Sequence, residues 1–194
     1  MSPLRVPIPY GDDATWTQPL DTTLLTEYVA ACKEQARTTK EKGDRLESLL
    51  CWLLPHIPGF RAHTVNQFSA DHSQEIDMLI WNERHPTGFP SFREKIMVEC
   101  KNWIRKVDSS DVAWFDWKMR LGGVTEGLLV AANGITGDSS RRHDAESILA
   151  HANAEQRRIL VITLEEIGAI TSRYNLRELL IEKVMGLSAR AGLP

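Results

Sequence analysis

The fold is decided by two apolar stretches, Glu75-Ile-Asp-Met-Leu-Ile-Trp81 and Lys95-Ile-Met-Val-Glu-Cys-Lys-Asn-Trp103. Both are short runs of β-branched and large apolar residues, a pattern typical of β-strands. The connection between them holds Pro86, Gly88 and Pro90, which exclude regular structure there. The sequence therefore predicts two adjacent strands joined by a long loop, which is either a substrate contact or an ordinary solvent loop.

Each predicted strand carries charge in an apolar setting. Side chains alternate across a strand, so Glu99 and Lys101 share one face of the second strand while Cys100 points to the other. On the first strand, Asp77 likewise points to the face opposite to that of its apolar neighbours Ile76 and Met78. A buried, isolated carboxylate is costly enough that it normally shifts its pKa or finds a cation. Three charged groups that converge on adjacent strand ends therefore predict a metal site.

The order of these residues resembles the PD-(D/E)xK nuclease signature, because Asp77 on one strand precedes Glu99-Cys100-Lys101 on the next. No proline precedes Asp77, which departs from the name of the signature, as many relatives do. The flanking segments are similar to those of Mrr-like restriction endonucleases, and the resemblance covers about residues 41–166. These segments are Lys42-Gly-Asp-Arg-Leu-Glu47 and Ala132-Asn-Gly-Ile-Thr-Gly-Asp138.

The resemblance implies both a fold and a chemistry. The implied fold is α/β, a restriction-endonuclease-like three-layer α/β/α core around a central mixed sheet of about five strands. The implied activity is Mg²⁺-dependent hydrolysis of DNA phosphodiester bonds, leaving 5′-phosphate and 3′-hydroxyl ends. Asp77 and Glu99 would hold the metal. Because both supply oxygen ligands, the expected ion is Mg²⁺, or Mn²⁺ as a substitute, rather than zinc. The backbone carbonyl of Cys100 would be a further ligand, and Lys101 would position and polarise the attacking water.

Glu47 is a further candidate for catalysis and metal binding. It lies on a predicted helix of about residues 41–54, in line with Leu50 and Leu54 at i+3 and i+7. This spacing places one carboxylate on the apolar arc that should face the sheet. Two interpretations remain open: a metal ligand beside the two strand carboxylates, or a peripheral salt-bridge glutamate.

Basic residues beyond the second strand are candidates for nucleic-acid binding. Arg105 and Lys106 follow the strand, and Lys118 lies on a predicted helix of about residues 110–121. Aromatic residues interleaved with basic ones can stack on bases, and they also commonly form core against a sheet, so both interpretations stay open. The aromatic residues of this helix include Trp114, Phe115 and Trp117.

A second basic pair, Arg141 and Arg142, lies in the first turns of a predicted helix of about residues 139–156. Backbone N–H groups at a helix start, with two arginines nearby, predict a phosphate-binding corner. An exposed polar face is an equally compatible interpretation. The other elements are predicted as strands at 60–66, 127–132 and 159–163, and as helices at 21–37 and 165–185, the last interrupted at 171–174.

The chain of 194 residues suits one domain, predicted over residues 21–194 after an irregular, proline-rich arm over residues 1–20. The net charge of −3 does not indicate tight non-specific binding to nucleic acid, although acidic metal ligands contribute to that total. The three cysteines lack disulfide or zinc spacing and favour a reducing cytosol. No apolar run approaches the roughly 20 residues that span a bilayer. We therefore expect a cytoplasmic protein without membrane contact.

The leading functional hypothesis is an endonuclease that cleaves DNA in prokaryotic defence, including antiviral defence, or in nucleic-acid processing. No helix-turn-helix or zinc finger is recognisable, so specificity would come from loops, from a homodimer or from a larger defence complex. The alternative is a non-cleaving nucleic-acid-binding or assembly subunit with the same fold. A third hypothesis is RNA as the substrate.

Overall fold

A five-stranded sheet forms the centre of the molecule. The computed structural model describes residues 14–36, 38–68, 75–137 and 144–190. The strands are β1 Phe60–Phe68, β2 Glu75–Asn82, β3 Lys95–Lys101, β4 Glu126–Ala131 and β5 Arg158–Ile162. They lie in sequence order, with β1, β2 and β3 antiparallel and β3, β4 and β5 parallel. The predicted mixed sheet of five strands is confirmed.

The helices of the described residues lie before, between and after these strands. They are α1 Ala14–Thr17, α2 Thr22–Lys33, α3 Thr39–Leu53, α4 Ser109–Leu121, α5 Ala145–Ala154, α6 Leu164–Gly168 and α7 Arg173–Arg190. Side chains cap several of them. Asp108, for example, accepts the N–H of Asp111 at the start of α4, and Asp111 accepts the N–H of Asp108 in return, which satisfies two donors that the helix leaves unpaired.

Two apolar clusters separate the faces of the sheet. On one face, buried residues of α2, α3, α6 and α7 pack against Ile96, Val98 and Cys100 of β3. On the other face, buried residues of α4 and α5 cover Met97 and Leu129. The alternation of side chains along β3 therefore holds as predicted, and the architecture is the expected three-layer α/β/α core.

Side chains of α4 fill the space above Gly127 of β4. A Cβ atom at this position would lie 2.5 Å from Sδ of Met119 and 3.0 Å from the ring of Phe115. Glycine therefore leaves the space that these two side chains occupy against β4.

The connection between β2 and β3, residues 83–94, lies at the end of the sheet where β4 begins. The N–H of Arg93 donates to Oε1 of Glu126, the first residue of β4, at 3.4 Å. Because β3 and β4 are parallel, this end is opposite to the one that carries Glu99. The structure therefore favours the interpretation of this connection as an ordinary solvent loop over a substrate contact at the charged end.

Several predicted helix boundaries differ from the observed ones, and the last helix, for example, ends at Arg190 rather than near residue 185. Helix α2 ends at Lys33 rather than near residue 37, which lies outside the described residues. Helix α5 begins at Ala145, because the side chain of Asp144 accepts the N–H of Ser147 at 2.8 Å and caps the helix there. Residues 138–143, where the sequence predicts the start of this helix, lie outside the described part of the chain.

The N-terminal segment contacts the core through Trp16, which is 8% exposed. Its Nε1 donates to the carbonyl of Thr87 at 2.6 Å. Residues 14–17 form the short helix α1, although the sequence predicts an irregular arm over residues 1–20, and residues 1–13 lie outside the described part. Across the described ranges, no helix combines the length and the apolar character needed to cross a membrane.

Candidate active site

Glu99 lies near the end of β3 and is 2% exposed. Two ammonium groups hold its carboxylate. Lys101 Nζ lies 2.8 Å from Oε1, and Lys118 Nζ, which comes from α4, donates to Oε2. Both oxygens of this buried carboxylate therefore have a cationic partner, which compensates for the water that the side chain has lost.

Asp77 on β2 lies beside Glu99. Its Oδ2 accepts the backbone N–H of Cys100 at 2.7 Å. Burial, followed by the negative charge of Glu99, raises the pKa of Asp77 to about 6, even though that N–H and the two lysines favour its charged form. The structure therefore brings the two predicted strand carboxylates together, and their mutual repulsion persists in the presence of Lys101 and Lys118.

Lys101 is the more accessible of the two lysines, with 19% of its side chain exposed. Its Nζ also lies 4.8 Å from the ring centroid of Trp103. Burial alone would lower the pKa of Lys101, but the charge of Glu99 and the hydrogen bond to it raise that pKa above its ordinary value. The group is therefore an ammonium ion at neutral pH, able to donate hydrogen bonds and unable to accept a proton.

The side chain of Cys100 points into the opposite apolar cluster and is buried. Burial, followed by the charges of Asp77 and Glu47, raises the pKa of this thiol well above its ordinary value. The thiol is therefore protonated at neutral pH and is a poor metal ligand. A metal-binding role for the backbone carbonyl of Cys100 stays a prediction.

Glu47 lies on the buried arc of α3, as the spacing predicts, and is 8% exposed. Helix α3 packs on the face of β3 that carries Cys100, whereas Glu99 projects from the other face. The structure therefore places Glu47 near Cys100. Glu47 approaches the carboxylate pair from the face of β3 opposite to Glu99. The peripheral position and the metal-ligand role are both still compatible with this placement.

The donor set of this site fits a magnesium ion. Within the described ranges, no three His, Cys, Asp or Glu side chains are grouped closely enough to hold a metal ion by themselves. Mg²⁺ is commonly bound by one or two carboxylates, with waters and substrate phosphates completing its coordination. The close pair Asp77 and Glu99, whose repulsion a cation would relieve, supplies these two carboxylates. Zinc, which prefers Cys and His, finds no such ligands in the pair.

Comparison with known protein families identifies the chain. A family model described as restriction endonuclease, the Mrr catalytic domain, matches residues 38–167, about two thirds of the chain. The chain belongs to this Mrr-like restriction endonuclease family. The match begins just before α3 and ends within α6, so it includes the whole sheet and the residues Asp77, Glu99 and Lys101. No curated protein and no solved structure matches the chain significantly.

In this restriction endonuclease, Lys118 lies inside the protein and not on the surface that the sequence suggests. It is expected among the residues that contact nucleic acid, but it is 3% exposed and pairs with Glu99 inside the protein. Its Nζ also donates to the backbone carbonyl of Glu75 at 3.1 Å. A lysine this deeply buried does not form part of an external phosphate-binding surface.

Arg105 and Lys106 are exposed near the end of β3, as expected for residues that contact nucleic acid. The guanidinium of Arg105 lies 4.2 Å from the ring centroid of Trp103 and 2.8 Å from Oδ2 of Asp111. The ring of Trp103 and the carboxylate of Asp111 therefore orient Arg105, and the same ring is contacted by Lys101. Arg141 and Arg142, the other predicted phosphate-binding pair, lie outside the described residues.

The aromatic residues of α4 divide between core and surface. Phe115 is fully buried, in line with the core interpretation. Trp114 and Trp117 are 50% and 39% exposed and stack on each other with ring centroids 4.6 Å apart. The core interpretation is therefore wrong for the two tryptophans, which form an exposed aromatic pair on the side of α4 away from its buried residues.

Sequence reasoning misses the role of Asn102, which is 4% exposed at the end of β3. Its Nδ2 donates to the carbonyl of Cys32 at 3.1 Å and to the carbonyl of Lys42 at 2.8 Å. One side chain thus ties the end of the catalytic strand to α2 and α3. Its position directly after the Glu-x-Lys tripeptide was the available signal.

Proposed function

We propose that this Mrr-like restriction endonuclease is a Mg²⁺-dependent enzyme that hydrolyses phosphodiester bonds of DNA. The observation that carries the proposal is the convergence of Asp77, Glu99 and Lys101 at one end of the sheet. The raised pKa of Asp77 supports it, because perturbed carboxylates in a polar cluster are typical of functional sites. Mn²⁺ is expected to substitute, since it prefers the same oxygen ligands.

The carboxylates of Asp77 and Glu99 would hold the metal ion. When bound, the ion would neutralise charge on the phosphoryl oxygens and promote formation of the nucleophile from water. The backbone carbonyl of Cys100 is proposed as a further ligand. Glu47 is proposed to act through a bridging water, because it approaches from the opposite face of β3.

Lys101 is proposed to orient the attacking water and to stabilise the charge that develops on the phosphoryl oxygens. Because its pKa is raised, it remains an ammonium ion and acts as a donor rather than as a general base. Its partial exposure supports this role, since the Nζ can turn from Glu99 toward a substrate at the mouth of the site.

DNA is proposed to approach along the surface formed by Arg105, Lys106 and the stacked pair Trp114 and Trp117. Arginine and lysine would contact phosphates, and the exposed rings offer faces on which unpaired bases can stack. Arg141 and Arg142 are proposed to extend the phosphate contacts. We also propose that the enzyme acts in the cytoplasm in nucleic-acid defence, including antiviral defence, as a homodimer or within a larger complex.

One observation favours a second candidate, a non-cleaving nucleic-acid-binding or assembly subunit. Both oxygens of Glu99 are paired with lysines, an arrangement that also suits a purely structural ion-pair cluster. The test is cleavage of supercoiled plasmid, linear duplex, single-stranded DNA and structured RNA with Mg²⁺, Mn²⁺ or EDTA. Cleavage that requires metal supports the nuclease, and the preferred substrate decides between DNA and RNA.

Matched variants make this test specific to the site. Glu99→Ala and Lys101→Ala should abolish cleavage. Glu126→Ala removes another buried carboxylate, paired with Arg158 at the opposite end of the sheet, and Lys183→Ala removes another half-buried lysine, paired with Glu166. Each of these two control variants should keep its cleavage activity, provided that the variant protein folds. Equal loss in all four variants, or full activity in Glu99→Ala, contradicts the proposed site.

A further inference from the structure

Lys118 is fixed more firmly at Glu99 than Lys101 is. The side chain of Lys118 is 4% exposed, whereas that of Lys101 is 19% exposed. Lys118 Nζ is bonded to two acceptors, Oε2 of Glu99 and the carbonyl of Glu75. Buried lysines are rare unless paired, and moving this one would leave its charge unpaired and Oε2 of Glu99 without a cationic partner.

Lys101, in contrast, has other partners within reach. Its Nζ lies over the ring of Trp103, and the charge of Asp111 also acts on it. When a divalent cation arrives at Oε1 of Glu99, Lys101 can withdraw to these groups or to substrate. Lys118 is buried and is also held by the carbonyl of Glu75, so we expect it to stay on Oε2.

A permanent ammonium ion on Oε2 restricts what Glu99 can bind. Two-metal phosphodiester sites hold their ions about 3.5–4 Å apart, usually on shared carboxylates. A second divalent ion at Oε2 would have to lie beside the ammonium group of Lys118, where the repulsion between the two cations is strong because water is excluded. One oxygen of Glu99 therefore remains for a metal ion.

We propose that Lys118 is a positioning residue, a resident counter-cation that holds Oε2 of Glu99 and limits the site to one divalent ion, bound through Oε1 and Asp77. This inference rests on the proposed function, since it concerns the same site. The ammonium group of Lys118, on α4, would occupy the place that a second metal ion takes in two-metal sites. The two lysines then have separate roles: Lys118 orients Glu99, and Lys101 serves the substrate.

The test is titration of the whole protein with Mn²⁺, followed by calorimetry and by the electron paramagnetic resonance signal of free Mn²⁺. The wild-type protein should bind one ion per chain. Lys118→Gln keeps a hydrogen-bond donor for Glu99 and removes the charge, so it should bind Mn²⁺ at least about tenfold more tightly or take up a second ion. Lys118→Met removes both donor and charge and should change in the same direction.

The direction of this change distinguishes positioning from simple structural support. A merely structural lysine would leave Mn²⁺ affinity unchanged or weakened when replaced, because a loosened site binds metal less well. Arg157→Gln is the matched control: it removes the charge from another buried ion pair of α4, with Asp116, and should leave Mn²⁺ binding unchanged. Circular dichroism and thermal unfolding establish that each variant is folded.

Each outcome bears on the inference. Two ions in the wild-type protein, or no tightening in Lys118→Gln, overturns it even if the enzyme cleaves DNA. Wild-type protein that binds no Mn²⁺ and cleaves nothing overturns the proposed function instead. If both Lys118 variants fail to fold, the wild-type stoichiometry decides: one ion supports the resident counter-cation, and two exclude it.

Discussion

Oδ2 of Asp77 accepts the backbone N–H of Cys100 at 2.7 Å, which joins β2 to β3 beyond the last paired residues of the two strands, Met78 and Val98. Oδ2 is therefore used in a structural hydrogen bond, and Oδ1 remains available to bind a cation. The bond also holds the carboxylate of Asp77 beside Glu99, although their charges repel. The metal-free site is therefore built at a cost in stability, as functional sites commonly are.

Asp77→Asn tests this cost. The pKa of Asp77 is raised from 3.8 to about 6, so the folded state favours the protonated form. Stability of the metal-free protein should therefore fall as pH rises from about 4 to about 6, by at most about 3 kcal/mol. Asparagine can still accept the Cys100 N–H without charge, so Asp77→Asn should raise the melting temperature at pH 7.5 in EDTA and abolish cleavage. Asp44→Asn, at an exposed ion pair, should change neither; a lower melting temperature for Asp77→Asn would contradict the argument.

Asn102→Ala should destabilise the protein by about 2 kcal/mol, because it leaves the carbonyls of Cys32 and Lys42 without their buried donor. Urea unfolding measures the loss. Asn133→Ala is the control, since Asn133 also donates to a carbonyl, that of Trp103, but is exposed. Water can replace its bond, so the loss there should stay below about 1 kcal/mol. Equal losses in the two variants would show that burial does not decide the effect.

Trp114→Ala should weaken binding of single-stranded or unpaired DNA about tenfold, since stacking on an aromatic ring is worth roughly 1–3 kcal/mol per base. The turnover rate at saturating DNA should change little, because Trp114 does not contact the carboxylates. Fluorescence anisotropy with a labelled oligonucleotide gives the affinity. Tyr174→Ala removes an equally exposed aromatic residue from α7 and should have no effect. Unchanged affinity in Trp114→Ala would exclude the tryptophan pair from the DNA surface.

Gly127→Ala should destabilise the fold by about 1–3 kcal/mol, because the added methyl group would lie 2.5 Å from Sδ of Met119. Met119 and Phe115 must then move, and because Lys118 neighbours Met119 on α4, cleavage should fall as well. Gly186→Ala in α7 is the control, since a Cβ there meets nothing within 4 Å and alanine favours the helix. Chemical unfolding and plasmid cleavage measure both effects. A Gly127→Ala protein as stable and active as wild type would contradict the close approach.

The sheet and the carboxylate pair could be predicted because their signals are local. Short apolar runs mark the strands, and the alternation along β3 correctly separates Glu99 from Cys100. The surface position of Trp114 and Trp117 had a local signal too. Val112, Phe115 and Met119 define the buried arc of α4 at helical spacing, and both tryptophans fall outside it.

Other features depend on geometry that no local pattern contains. The pairing of Lys118 with Glu99 arises from the position and direction of α4, the helix that connects β3 to β4. The sequence shows only a lysine among aromatic residues, which suggests a surface. The start of α5 is ambiguous in the sequence, because Asp138 and Asp144 are both suitable capping residues and no local pattern selects between them.

The loop of residues 83–94 separates Asp77 from Glu99 in sequence but turns at the far end of the sheet, beside Glu126. The two acids meet where β2 begins and β3 ends, so the length of this hairpin has little influence on their distance. A segment inserted into this loop should therefore leave the two acids in place. The far end of the hairpin can tolerate variation in length and sequence that the end with Asp77 and Glu99 cannot.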